Sequence, residues 1–210
     1  MRSCKQQHIS SLEQYAIKLH AEHVRKSSAF DSGFLPSANN LVADLPLQFR
    51  LKFSNLGQVT LNHICIRVKD PKKSLHFYRD ILGASVIHSF DSEGGKFSNY
   101  FLGFGIPEEI LNGTEEQKAA YRSHATGLIE LTHNWGTETD EAFEYTGHKN
   151  QPGNGYAHIC LVVDDIIEYS AYLEGAGVPF RKKLSEGFMR NIAFVLDPDG
   201  YSVELIERRK

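Results

Sequence analysis

His63-Ile64-Cys65-Ile66-Arg67-Val68 and His158-Ile159-Cys160-Leu161-Val162-Val163 are two versions of one phrase, and their first residues lie 95 positions apart. Each is a short run rich in β-branched and apolar residues, which reads as a strand. Each is followed at the same offset by an acid, Asp70 or Asp165, and then by apolar residues at helical spacing. In the first copy Leu75, Phe77, Tyr78, Ile81 and Leu82 lead to Gly83; in the second Ile166, Ile167, Tyr169, Tyr172 and Leu173 lead to Gly175 and Gly177. Glycine just past a helix takes the left-handed backbone position at least steric cost, so both helices are expected to stop there.

Working outward, each copy continues into three more strand-like runs: residues 85–88, 100–104 and 127–132 in the first, 178–181, 192–196 and 201–206 in the second. Asp197-Pro198-Asp199-Gly200 is a tight-turn signal that makes the last two a hairpin. Each half therefore reads β-α-β-β-β. One such unit leaves a sheet face uncovered, and pairing two units buries it. The expected fold is α+β, built of paired βαβββ modules at about residues 61–137 and 155–208 within a domain spanning 58–210. Residues 105–125, with Pro107, Gly113 and the run Glu115-Glu116-Gln117-Lys118, are an insertion without counterpart in the second half.

The region before the repeat has a different character. Ser10-Ser11-Leu12-Glu13 fits a capping box, and Leu12, Tyr15, Ala16, Leu19 and His23 repeat at helical spacing. Residues 1–57 are thus expected to form a helix followed by an irregular arm. Their basic surplus could belong to a transit peptide, but Glu13 and Glu22 weaken that alternative. No apolar run approaches a membrane span, and no signal-peptide core is visible. The 210 residues carry a net charge of −3, which lacks the basic surplus of a nucleic-acid partner. Three cysteines cannot all pair, so a reducing, cytoplasmic setting is expected.

The repeat also places chemistry in register. Ile129-Glu130-Leu131 and Val203-Glu204-Leu205 each set a carboxylate between apolar neighbours, on the opposite face of a strand. His63 and His158 open the first strands. A histidine alone on such a strand is most simply an interior residue, but a glutamate there is expensive without a partner. Two of each at matched positions point to a metal site of two imidazoles and two carboxylates, provided the halves pack so that the pairs converge. Cys65 and Cys160, two residues after each histidine, offer a rival thiolate site. That rival leaves Glu130 and Glu204 unexplained, and the simplest reading of each cysteine is a small buried hydrophobe. His133 reads as a rim residue, and His88 as solvated.

These segments together resemble the glyoxalase I (lactoylglutathione lyase) family of the vicinal-oxygen-chelate superfamily. The resemblance rests on Arg67-Val68-Lys69-Asp70-Pro71-Lys72-Lys73-Ser74-Leu75 with Phe77-Tyr78, and on Glu130-Leu131-Thr132-His133-Asn134-Trp135-Gly136-Thr137-Glu138. Gly155-Tyr156-Ala157-His158-Ile159 and Asp197-Pro198-Asp199-Gly200-Tyr201 with Glu204 complete it. It implies His63, Glu130, His158 and Glu204 as ligands of one divalent ion. Histidine at position 63 is typical of members using Ni²⁺ or Co²⁺, whereas the 105–125 insertion is typical of those using Zn²⁺; the insertion tilts the expectation to zinc.

The resemblance further implies isomerisation of the hemithioacetal of methylglyoxal and glutathione to S-lactoylglutathione, a detoxification, in a homodimer. Glu204 is the first choice of base, with Glu130 as its partner across the substrate. Arg67, Asn134 and Met189 match substrate-contacting positions. Where eukaryotic members carry an arginine before the second histidine this chain has Asn154, which leaves room for a thiol other than glutathione. Two alternatives share the fold: a binding protein without chemistry, and a metal-dependent dioxygenase or other isomerase.

Overall fold

A computed structural model describes residues 59–145 and 156–209. The chain divides between Gln58 and Val59, and all described residues belong to the second part. The expected N-terminal helix and arm, and Asn154, lie outside the described residues.

The first module begins with β1 (His63–Val68), α1 (Pro71–Leu75) and a π-helical turn (His76–Ile81). Strands β2 (Ser85–Ser92) and β3 (Phe97–Gly103) follow, then α2 (Glu108–Leu111), α3 (Glu115–His124) and β4 (Leu128–Asn134). The second module contains β5 (His158–Val163), α4 (Ile166–Gly175), β6 (Phe180–Lys182), β7 (Ile192–Leu196) and β8 (Ser202–Glu207). The sheets have the same topology, β1-β4-β3-β2 and β5-β8-β7-β6. In each, the first and last strands are parallel neighbours and the remaining pairs are antiparallel. Parallel neighbours need a long crossover, and the helix after the first strand begins it.

The matched acids prove to be helix caps. Asp70 accepts from Lys72 N, with Pro71 at the first helical position. Asp165 accepts from Ile167 N and Glu168 N. The first helix departs from the expected regular one: after one α-turn it widens, with Leu82 N bonding back five residues to Phe77 O at 2.9 Å. The insertion contributes α2 and α3. Thr114 and Gln117 form a reciprocal capping box at the start of α3.

One apolar core serves both modules. Ile66, Val68, Ile129 and Leu131 of the first sheet and Val195, Val203 and Leu205 of the second join Phe77, Tyr78, Leu82, Ile166 and Leu173 from the helices. The turn at Asp197–Gly200 clasps the modules together. Asp197 Oδ1 accepts from Asp199 N and Tyr201 N, while Tyr78 Oη donates to Oδ2 at 2.9 Å. Asp199 accepts from Lys69 N at 3.0 Å. Asp197 is 3% exposed, and burial pushes its carboxyl up to about 7 against the pull of these donors. Across the same seam Tyr169 and Tyr172 donate to Leu82 O and Ile81 O. Among the described residues no helix is long and apolar enough to cross a membrane.

Candidate metal centre

Because β-strand side chains alternate, burying Ile66, Val68, Ile129 and Leu131 turns His63, Cys65, Arg67, Glu130, Thr132 and Asn134 to the other face of the first sheet. There they form a ladder of diagonal pairs between β1 and β4. His63 Nε2 lies 3.3 Å from Glu130 Oε2. Cys65 Sγ lies 3.2 Å from Thr132 Oγ1, and Arg67 Nη1 donates to Asn134 Oδ1 at 3.0 Å. The second sheet repeats the first rung: His158 Nε2 is 3.1 Å from Glu204 Oε2. The repetition extends to the rings behind the histidines. Phe101, the register partner of Glu130, meets His63 edge-on at 5.5 Å, and Phe194, the partner of Glu204, meets His158 at 5.3 Å.

The carboxylates are largely covered, at 13% and 17% side-chain exposure, whereas the imidazoles are 38% and 35% exposed. Each pair therefore presents nitrogen and oxygen donors to an open surface. The two pairs do not converge within one chain. Among the described residues no three His, Cys, Asp or Glu side chains are grouped to hold a metal. The reason is the shared core, which packs the helical faces of the modules together and leaves both His/Glu faces outward. The packing on which convergence depended is thus not found within a single chain.

The donors themselves suit a borderline divalent ion, which takes imidazole and carboxylate alike. Asn62 Oδ1, 2.8 Å from His63 Nδ1, accepts the proton of that nitrogen. Nε2 then faces Glu130 Oε2 at 3.3 Å, a separation that a shared proton or a cation between nitrogen and carboxylate would stabilise.

The thiols depart from the sequence reading, being exposed on the site faces rather than buried. Partial desolvation pushes the Cys160 thiol up to about 11, and the hydrogen bond to Glu204 and its charge add to the rise. A thiol so held is a poor thiolate donor. His133 is likewise no rim residue. It is 6% exposed, and its Nε2 lies 2.7 Å from Glu138 Oε2, which also accepts from Gly136 N. That pair braces the turn that carries Asn134; the Glu138 carboxyl is held below its ordinary range first by its own backbone N–H and then by the hydrogen bond with His133. His88 is half-buried between Phe90 and Phe101, and desolvation followed by the Arg122 charge lowers its pKa. Met189 is 44% exposed on the loop between β6 and β7, where its carbonyl accepts from Lys182 Nζ. No hydrogen bond joins it to the other candidates among the described residues.

Paired βαβββ modules define the fold class, and the chain belongs to the Glyoxalase/Bleomycin resistance protein/Dioxygenase superfamily, whose family model matches residues 60–205. Within it the chain is similar to named lactoylglutathione lyases. It is 43% identical over 155 residues to that of Schizosaccharomyces pombe, covering 74% of this chain and 49% of the relative. It is 41% identical over 150 residues to the lactoylglutathione lyase of Pseudomonas aeruginosa, covering 71% and 83%. The chain thus spans about half the length of the yeast relatives. Among solved structures, the trypanothione-dependent glyoxalase I of Leishmania major superposes with a TM-score of 0.53 at 29% identity, over 71% of this chain and 87% of that one. Glyoxalase I of Zea mays superposes with a TM-score of 0.51 at 26% identity, over 72% and 45%.

Proposed function

We propose that this chain is a metal-dependent glyoxalase I that isomerises the hemithioacetal of methylglyoxal and a cellular thiol to the corresponding lactoyl thioester. The observation that carries the reading is the duplicated His/Glu pair at the same place in two sheets, in a chain 43% and 41% identical over 155 and 150 residues to two named lactoylglutathione lyases. His63 and Glu130 from one module, with His158 and Glu204 from another, would hold one divalent ion. The ion would supply polarisation of the substrate's adjacent oxygens and stabilise negative charge developing there.

The protein's own part is proton transfer and positioning. Glu204 has no amide holding it among the described residues, only the His158 ring and the Cys160 thiol. It is the carboxylate freer to turn and take the carbon-bound proton, then return it to the neighbouring carbon. Glu130 stands as its counterpart. Arg67, held against Asn134 and paired with no carboxylate among the described residues, suits a carboxylate of the thiol co-substrate. Glutathione is the co-substrate we assign, with trypanothione, named for the Leishmania enzyme, as the variant to compare. The exposed Met189 belongs to the loop that would cover the substrate.

Because both His/Glu faces are open and neither is complete, a full site requires the first module of one copy to meet the second module of another. A homodimer follows. The insertion favours zinc and His63 favours nickel or cobalt, so we place zinc first. A cytoplasmic setting suits both the thiol and the two exposed free cysteines. The test is thioester formation with methylglyoxal and glutathione. Glu204→Gln is expected to abolish turnover while leaving the unfolding midpoint close to that of the parent, and retained turnover would overturn the assignment.

A further inference from the structure

The two pairs are matched in geometry but unequal in support. Asn62 sits just before β1, and its Nδ2 donates to Arg122 O at 2.8 Å and Ala125 O at 2.9 Å. These carbonyls lie at the end of α3, where a helix has run out of its own N–H partners. With the amide nitrogen committed there, Oδ1 is left facing His63 Nδ1 at 2.8 Å. An amide oxygen can only accept, so Nδ1 must carry a proton, and Nε2 is the nitrogen turned toward Glu130. The Arg122 guanidinium, 5.4 Å over Phe101, backs the same ring cluster from the same helix.

Glu130 is held in a similar way. Its Oε1 accepts from Asn99 Nδ2, while Oε2 faces His63. Asn99 is itself 7% exposed on β3, and its Oδ1 is buried without a hydrogen-bond partner. Flipping that amide would set two oxygens against each other, so the donor orientation is the stable one. Among the described residues neither support has a counterpart in the second module. Ala157 precedes His158, and Ile192 occupies the position on β7 that Asn99 occupies on β3, two residues before the phenylalanine opposite each glutamate.

We propose that Asn62 and Asn99 are positioning residues that make His63 and Glu130 the fixed half of the metal site, with the insertion helix α3 setting the His63 tautomer through Asn62. The inference rests on the metal-site reading above and assigns a purpose to the 105–125 segment. The helix anchors an amide, the amide anchors a proton, and the proton decides which nitrogen is offered. The second module, lacking both amides, keeps its glutamate free to move.

The test begins with the metal-free protein, in which ring-nitrogen NMR reports the tautomer of each histidine directly. His63 is expected to be protonated at Nδ1 in the parent and to lose that preference in Asn62→Leu, with His158 unchanged. Competition with a chelator for Zn²⁺ and Ni²⁺ is then expected to show binding weaker by about 10- to 100-fold in both Asn62→Leu and Asn99→Leu. A His63 that carries its proton at Nε2 and none at Nδ1 in the parent would overturn the proposal even where a variant fails to fold. Unchanged metal affinity in both folded variants would overturn it as well. If the parent shows the Nδ1 proton but binds no metal, the metal-site reading fails and the tautomer assignment survives.

Discussion

At the residue scale, the site was legible where a side chain contradicted its surroundings. Glu130 lies between Ile129 and Leu131, and Glu204 between Val203 and Leu205, neighbours that are at most 4% exposed. A carboxylate in such company demands a partner, and in both sheets the partner is the histidine that the repeat had already singled out. Asn62 and Asn99 carried no comparable signal, since an asparagine beside a strand is ordinary until its amide partners are known. For Asn62 the only hint was adjacency to His63. His133 and the cysteines were misread because one-sided burial is set by which face packs, not by residue type. The thiols face the site, and the proposed ligand set leaves them out, so Cys65→Ser with Cys160→Ser is expected to leave metal stoichiometry unchanged in elemental assay. Loss of bound metal in the folded double variant would restore the thiolate alternative.

At the scale of elements, the β-α-β-β-β order and the strand that carries each glutamate were readable from period and turn chemistry. The widened turn at His76–Ile81 was not, because apolar residues at Phe77, Tyr78, Ile81 and Leu82 satisfy an α-pattern and a π-turn about equally well. The helices of the insertion escaped notice for a different reason: α3 has no buried residue and so no apolar stripe to announce it. The duplicated acids at Asp70 and Asp165 have a clear structural role as caps. Asp165→Ala leaves two backbone N–H groups without their acceptor and is expected to lower stability by about 1 kcal/mol in denaturant titration. Asp70→Ala, with one such bond and Pro71 already shaping the first turn, should fall at or below that figure. A larger loss for Asp70 would mean that its role extends beyond the cap.

For the whole molecule, the decisive feature is that the modules spend their apolar faces on each other, with the Asp197–Gly200 turn as the polar clasp. Asp197 titrates near 7 when folded, against an ordinary value of 3.8. The folded state therefore binds its proton more tightly, and the stability from this group is full below about pH 4 and lost as pH rises through 7. The span corresponds to at most about 4 kcal/mol. Asp197→Asn cannot titrate, but can keep all three contacts by accepting at Oδ1 and donating to Tyr78. Relative to this variant, the parent is expected to lose unfolding free energy between pH 5 and pH 8, and a constant difference would place the carboxyl's titration elsewhere. Tyr78→Phe, which strips the buried carboxyl of a donor, is expected to destabilise by about 1–3 kcal/mol at neutral pH in the same measurement.

That packing leaves the two His/Glu faces open, and the repeat alone could not reveal it, since register within a module says nothing about which face meets which. The central claim is that one metal site draws one pair from each of two copies. It is tested by mixing a variant lacking His63 and Glu130 with a variant lacking His158 and Glu204, after exchange of subunits. Neither variant alone should bind Zn²⁺ or Ni²⁺ tightly, or form thioester from methylglyoxal and glutathione. The account predicts that the mixture regains both tight metal binding and turnover; a mixture as inert as its components would contradict it.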